Sequence, residues 1–352
     1  MKKGYLVLQD GRVFEGYRFG AQTDSIGELV FTTGMGGYIE TLTDPAFAGE
    51  IVMHTYPLIG NYGIIEEDFE GECLMKGYVV REWCPAPSNF RTQYDLDTYL
   101  KAKNIPGIWG VDTRELTRII RENGVMNAMI CDEVPADLSV IESYAIAEPV
   151  KYATCKSISL HNAQGEEKFH VTLVDYGVRR SLIRTLQAIG CTVTVVPASA
   201  TAEDILSGKP DGVVLSDGPG DPAQNEAMIA ELKKLLGKVP MMAVGLGHQM
   251  LSLAAGGKTE KLKAGHHGAN QPAKDLLSGR TYVTAQNHCY VVTDPGCGTV
   301  RFVNANDATC EGVVYDEQKA FGVQFTPDAP RGLADASFLY ESFAELMKGG
   351  AN

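Results

Sequence analysis

The rhythm of apolar and polar residues divides the chain into two parts with different periods. In the first, short runs alternate. "GYLVLQDGRVFEGYRFG" predicts a β-hairpin turning at Asp10-Gly11, and "GELVFTTG" and "GEIVMHTYP" predict further strands. One segment switches to helical spacing. In "VDTRELTRIIRENG", Leu116, Ile119 and Ile120 fall on one face, Asp112 or Thr113 can cap the start, and Gly124 marks the end. These signals predict a mixed, strand-rich domain over residues 1–145. The polar stretch "SLHNAQGEEK" has no apolar periodicity and predicts a linker within residues 146–168.

From Phe169 the pattern alternates between buried strands and amphipathic helices. "FHVTLVDYG", "TVTVVP", "DGVVLSDGPGD" and "PMMAV" read as strands. "RRSLIRTLQAIG" reads as a helix with Leu182, Ile183, Leu186 and Ile189 inward, and "NEAMIAELKKLLG" and "GHQMLSLAAGG" read as two more. Strands alternating with helices of this length predict an α/β domain over 169–352, an open and mostly parallel sheet with helices on both faces. Ligands of such sheets bind beyond the carboxyl ends of the strands. The loops there are 175–178, 216–222 and the turn at Gly245, all rich in Gly, Asp or Pro.

Composition narrows the function class. A chain of 352 residues is too long for one ordinary core. The formal net charge of -13 argues against non-specific binding to nucleic acid or to an anionic membrane. The eight cysteines are scattered without a C-x-x-C pair, which argues against a zinc site or disulfide framework and predicts reduced thiols in a cytoplasm. No long apolar run predicts a membrane span.

Four stretches carry candidate chemistry. "MMAVGLGHQM" is a strand running into a helix that opens at Gly247, the form of a nucleophile elbow, with Gly245 at its tip. On local sequence alone a plain tight turn explains it equally well. "LSDGPGDP" brings bare backbone at Gly218 and Gly220 toward a ligand, or is a plain loop; no G-K-[ST] follows to make it a P-loop. "GHHGANQP" with "TAQNHCY" gathers histidines and asparagines, but adjacent His266 and His267 are poorly spaced as metal ligands, and no metal is expected. "FGVQFTPDAP" is a strand end followed by Thr326-Pro327-Asp328.

Taken together these stretches resemble the small, glutamine amidotransferase subunit of carbamoyl-phosphate synthetase. The resemblance runs along almost the whole chain, through "TGMGGYIETLTDPAFAGEIVMHTYPLIGNYG", "SNFR" and "GVDTRELTRIIRENG", then "VDYGVRRSLIRTL", "LSDGPGDPA", "GLGHQMLSLAAGGKTEKLKAGHHGAN" and "TAQNHCY". It implies a class I, triad-type amidotransferase fold and a cytoplasmic heteromeric complex. In that family an elbow cysteine attacks the glutamine amide, a histidine carries protons, and a glutamate orients it. Ammonia then passes to the large synthetase subunit, which makes carbamoyl phosphate for arginine and pyrimidine biosynthesis. No cofactor is implied for the small subunit.

Carried over position by position, the resemblance implies a degenerate triad. The nucleophile position is Gly245, the histidine position Thr326 and the glutamate position Asp328. A threonine hydroxyl does not titrate near neutral pH and cannot shuttle the proton. Among the glutamine-pocket positions, Gly218, Gly220, Leu246, Gln249 and Asn287 still match, Ala46 and Cys289 depart from the family's serine and glycine, and Tyr290 is a further pocket position. The expectation is a protein that binds the synthetase large subunit, supporting ammonia-dependent synthesis without hydrolysing glutamine. Two alternatives remain at this level. One is a non-catalytic regulator that binds glutamine or another small metabolite and has no synthetase partner. The other is an amidotransferase rebuilt around Cys289 and His288, although neighbours on a strand point to opposite faces.

Overall fold

The computed structural model describes residues 2–328 and 335–349. It divides into two compact units, Met1–Pro149 with Lys263–Gly268, and Val150–Leu262 with Ala269–Asn352. The first unit is built on a closed barrel of seven strands. Lys3–Leu8 and Val13–Gly20 form the expected antiparallel hairpin, and Ser25–Thr32 pairs in parallel with Glu50–His54. Closure leaves the seven barrel strands without a free edge. Its interior gathers Leu6, Leu8, Leu29, Ile51, Val79 and Ile108, all fully buried. The helix Thr113–Asn123 covers this core with Leu116, Ile119 and Ile120, the three residues that the spacing placed on one face. Asp112 caps it, its carboxylate accepting the N–H groups of Arg114 at 3.1 Å and Glu115 at 3.0 Å. Gly124 ends it in the left-handed region, at φ 97°.

The second unit is organised by one ten-stranded sheet. Its centre is parallel. Cys191–Pro197, Phe169–Asp175, Gly212–Leu215, Met241–Val244 and Ala320–Val323 lie side by side in that order. Antiparallel strands extend both sides, including the long strands Lys258–Asp275 and Thr281–Asp294. Gly212–Leu215, Met241–Val244 and Ala320–Val323 have no polar side chain because both faces are covered. Met241 and Ala243 pack into one core with the helices Ala202–Ser207, Glu226–Leu235 and Leu246–Ala254. Met242 and Val244 pack into the other with Arg180–Ala188 and Phe338–Gly349. Period-two alternation thus assigns each strand residue to one helical layer.

Two details differ from the sequence reading. The stretch 146–168 contains a short helix, Val150–Ala153, and a strand, Ser159–His161, which pairs antiparallel with Cys191–Pro197. Strand formation there comes from an available sheet edge and not from local apolar pattern. On the helix Arg180–Ala188, Leu182 and Leu186 are fully buried, while Ile183 is half-buried, as is Ile189 just past the helix end.

Replacing Asp112 by Ala removes two capping bonds while leaving the apolar face intact. The expected loss is about 1 kcal/mol of first-unit stability. Hydrogen exchange across 113–123 is expected to quicken before that of the barrel strands.

Candidate active site

The site is built where three loops leave the carboxyl ends of parallel strands. After Phe169–Asp175, the Asp175 carboxylate accepts the N–H groups of Gly177 at 2.9 Å and Val178 at 2.7 Å. After Gly212–Leu215, the Ser216 hydroxyl accepts the N–H of Tyr176 at 2.9 Å, joining the first two loops. After Met241–Val244 the chain turns at Gly245 into the helix Leu246–Ala254. The helix begins at Leu246, one residue earlier than the pattern indicated, with Gly245 as its N-cap. Gly218 shows how tightly the loops converge. A Cβ there would lie 2.4 Å from the Tyr176 carbonyl oxygen and 3.0 Å from the Leu246 side chain.

Gly245 adopts φ 53° and ψ −116°. Such a combination is strained for any residue with a Cβ, at a cost on the order of 1–3 kcal/mol. The turn is nevertheless well tied down. The Gly245 N–H donates to the Val323 carbonyl at 2.9 Å, and the Gly247 N–H donates to the Ser216 carbonyl at 3.0 Å. The elbow geometry is therefore present, and its tip carries no side chain.

The other candidate residues fall into separate groups. Gln249 is buried on the elbow helix, its side-chain nitrogen donating to the Tyr290 carbonyl at 2.7 Å and to Gln324 Oε1 at 3.0 Å. Asn287, Cys289 and Tyr290 lie on the strand Thr281–Asp294, with Cys289 buried and the other two half-buried. Thr326 is buried and makes a bridge to the same strand, its N–H donating to the Ala285 carbonyl at 2.9 Å. The Asp328 side chain is buried. It accepts the Tyr340 hydroxyl at 3.0 Å, and Arg179 Nη2 stands 3.8 Å from the same oxygen. Burial, together with this carboxylate, pushes the Tyr340 hydroxyl well above its usual pKa. Ala329 and Pro330, which complete "FGVQFTPDAP", lie outside the described residues. Gly220 follows Gly218 in the second loop at φ 89°. Ala46 belongs to the first unit, where its N–H donates to Asp44 at the start of the short helix Pro45–Phe47.

His288 is engaged along its own strand. Its Nδ1 lies 2.8 Å from the Tyr290 carbonyl and its Nε2 lies 3.1 Å from Gln286 Oε1, which ties the ring to the i±2 face of its own strand. His248, in "GLGHQM", is fully buried under the sheet, and among the described residues neither ring nitrogen has a hydrogen-bond partner. Burial pushes its pKa down to about 3, so it is a neutral core residue at physiological pH.

Sequence reasoning missed the residues that hold these groups. Asp217, Gln324, Arg179 and Tyr340 all contact a candidate position. Asp217 stood inside "LSDGPGDP", where the glycines drew the attention. The sequence shows a carboxylate beside a Gly-Pro-Gly loop, and only the fold brings it to the elbow.

Comparison with known proteins now places the two units. Residues 172–346 match the family model of class-I glutamine amidotransferases, and residues 6–130 match that of the carbamoyl-phosphate synthase small chain, CPSase domain. The second unit, with its elbow on a parallel sheet, is of the class-I glutamine amidotransferase class. The chain is 45% identical to the carbamoyl phosphate synthase small chain of Oceanobacillus iheyensis, covering 99% of this chain and 97% of that one. It is 44% identical to that of Syntrophotalea carbinolica, covering 98% of each. A solved structure, a glutamine amidotransferase from Thermotoga maritima, is similar at 17% identity and a TM-score of 0.38, over 55% of this chain and 87% of its own. The chain belongs to the carbamoyl phosphate synthase small chain family. Among the described residues no helix is long and apolar enough to cross a membrane.

The buried, neutral His248 has a pH consequence. Its folded pKa, about 3, lies below the ordinary 6.5. The unfolded chain therefore binds the extra proton between these values, and stability falls as pH drops below 6.5. Between pH 7 and pH 5 the wild type is expected to lose roughly 2 kcal/mol more than His248→Gln, as read from urea midpoints at the two pH values.

Proposed function

We propose that this protein is a small-chain homologue without glutaminase activity, which partners a synthetase large subunit to support carbamoyl phosphate synthesis from free ammonia. The observation that carries the reading is the elbow, which keeps a nucleophile's backbone geometry and has only hydrogen at the tip, Gly245. No atom there can attack an amide carbon. On the same reading Thr326 stands in the proton-shuttle position, and a hydroxyl that does not titrate near neutral pH cannot do that work. Asp328 occupies the position of the orienting carboxylate, and its partners are Tyr340 and Arg179 instead of an imidazole.

The pocket positions fit the same interpretation. The Gln249 amide nitrogen, a donor suited to a substrate oxygen, is already engaged by the Tyr290 carbonyl and Gln324. Cys289 replaces an open space with a group less able to seat a carboxamide. Gly218, Gly220, Leu246 and Asn287 remain as the pocket's framework. Partner binding is supported by family membership and by the near-complete length over which the relatives align.

The experiment mixes the protein with a cognate large subunit, following carbamoyl phosphate. Ammonium salts are expected to support synthesis, and glutamine is not. Loss of triad members leaves at most the roughly 10³–10⁴-fold residual catalysis of an oxyanion hole and binding. Glutamine turnover in the ordinary enzyme range of about 1–10³ s⁻¹ would overturn the reading. Gly245→Cys alone is expected to remain without glutaminase activity, because position 326 still supplies no base. A fully active single variant would show that another group carries the proton.

A further inference from the structure

The elbow does more than lack a nucleophile: it holds a carboxylate. Oδ1 of Asp217 accepts the N–H of Leu246 at 2.9 Å and the N–H of Gly218 at 2.8 Å. Two backbone donors converge on one oxygen, and one of them belongs to the residue after the elbow tip. That is the geometry of an oxyanion hole with its guest in place. The guest is the chain's own side chain, with the whole residue only 7% exposed. A Cβ built on Gly245 falls 1.9 Å from the same Oδ1 and 2.2 Å from the carboxylate carbon. One side chain thus fills both volumes that acyl transfer needs, the nucleophile's and the oxyanion's.

We propose that Asp217 is a built-in occupant of the elbow, an autoinhibitory contact that closes this site to acyl and anionic ligands independently of the missing nucleophile. A local Asx turn does not account for it. An Asx turn would engage the N–H two residues on, whereas Asp217 accepts from the next residue, Gly218, and from Leu246, which lies 29 positions along the chain. The start of a helix and two aligned N–H groups favour an anion, and the chain supplies one. Asp217 and Gly245 depend on each other. The carboxylate can enter only because position 245 has no side chain, and any side chain restored at 245 meets the carboxylate. Repair of the elbow therefore requires both positions to change.

The inference rests on the proposed reading only in taking this elbow as a former acyl-transfer position, and it needs no synthetase partner. The test compares wild type, Asp217→Gly, Gly245→Cys and the double variant. Iodoacetamide labelling at position 245 is read by peptide mass spectrometry at pH 7, which separates it from the eight native cysteines. With Asp217 in place, the new thiol is crowded and faces a like charge as it ionises. With Asp217 removed, it sits at a helix N-terminus that favours the thiolate. Labelling of the double variant is expected to be at least about tenfold faster than that of Gly245→Cys. A second arm uses sodium formate at constant ionic strength. Formate is expected to raise the Tm of Asp217→Gly saturably by replacing the lost carboxylate, and to leave wild type unmoved. If Gly245→Cys does not fold and the double variant does, the coupling is supported directly. If neither cysteine variant folds, the formate arm decides. Equal labelling rates in the two cysteine variants, or a formate response in Asp217→Gly no larger than in wild type, would overturn the inference. Neither arm reads glutamine turnover, so failure here is distinct from failure of the proposed function.

Discussion

Two backbone N–H groups, those of Leu246 and Gly218, must find an acceptor at the mouth of the parallel sheet. Leu246 is buried and Gly218 half-buried, and an unsatisfied buried donor costs about 1–3 kcal/mol. In this chain the acceptor is the Asp217 carboxylate. Around that contact the three loops take their positions. Ser216 joins the first loop to the second, Gly247 ties the elbow to the Ser216 carbonyl, and Gly218 lies too close to Tyr176 to carry a side chain. The arrangement survives without a nucleophile because the backbone bonds that create it do not depend on one.

The same inward pairing runs through the neighbouring polar groups. The Gln249 amide nitrogen donates to the Tyr290 carbonyl and to Gln324 Oε1, and Asp328 Oδ1 accepts the Tyr340 hydroxyl with Arg179 nearby, while Asp328 Oδ2 and Gln324 Nε2 are buried without a hydrogen-bond partner among the described residues. A buried polar group without a partner is costly, and internal partners satisfy Gln249 Nε2 and Asp328 Oδ1. On the proposed reading, this is how an amidotransferase scaffold remains stable after its chemistry is lost. The framework positions persist, while their hydrogen-bonding capacity turns inward. The first unit's core does not draw on these groups, being a closed barrel with its own apolar interior.

Family membership and the fate of the site are therefore different kinds of statement. Membership follows from matches along nearly the whole chain. On the proposed reading, the loss of chemistry is a local matter of a few atoms. Gly245, Thr326 and Asp328 bear on it directly, because hydrogen, a hydroxyl and a carboxylate have fixed chemical capacities wherever they stand.

The sequence by itself determined the strands and helices that carry strong periodicity, a cap at Asp112 or Thr113, the strand-to-helix turn at Gly245 and the identity of the side chains available for chemistry. These are local properties: apolar spacing, capping preference and the reactivity of a residue type. The tertiary structure alone decided that Ser159–His161 completes a sheet edge, that both ring nitrogens of His288 are engaged along its own strand, and that Asp328 pairs with Arg179 and Tyr340. It also decided that Asp217 fills the elbow. No pattern along the chain encodes that contact, because it joins two loops 29 residues apart and depends on a volume that Gly245 leaves open. Periodicity reports which face a residue presents to its own element. Which neighbour occupies that face is fixed only when strands distant in sequence lie side by side.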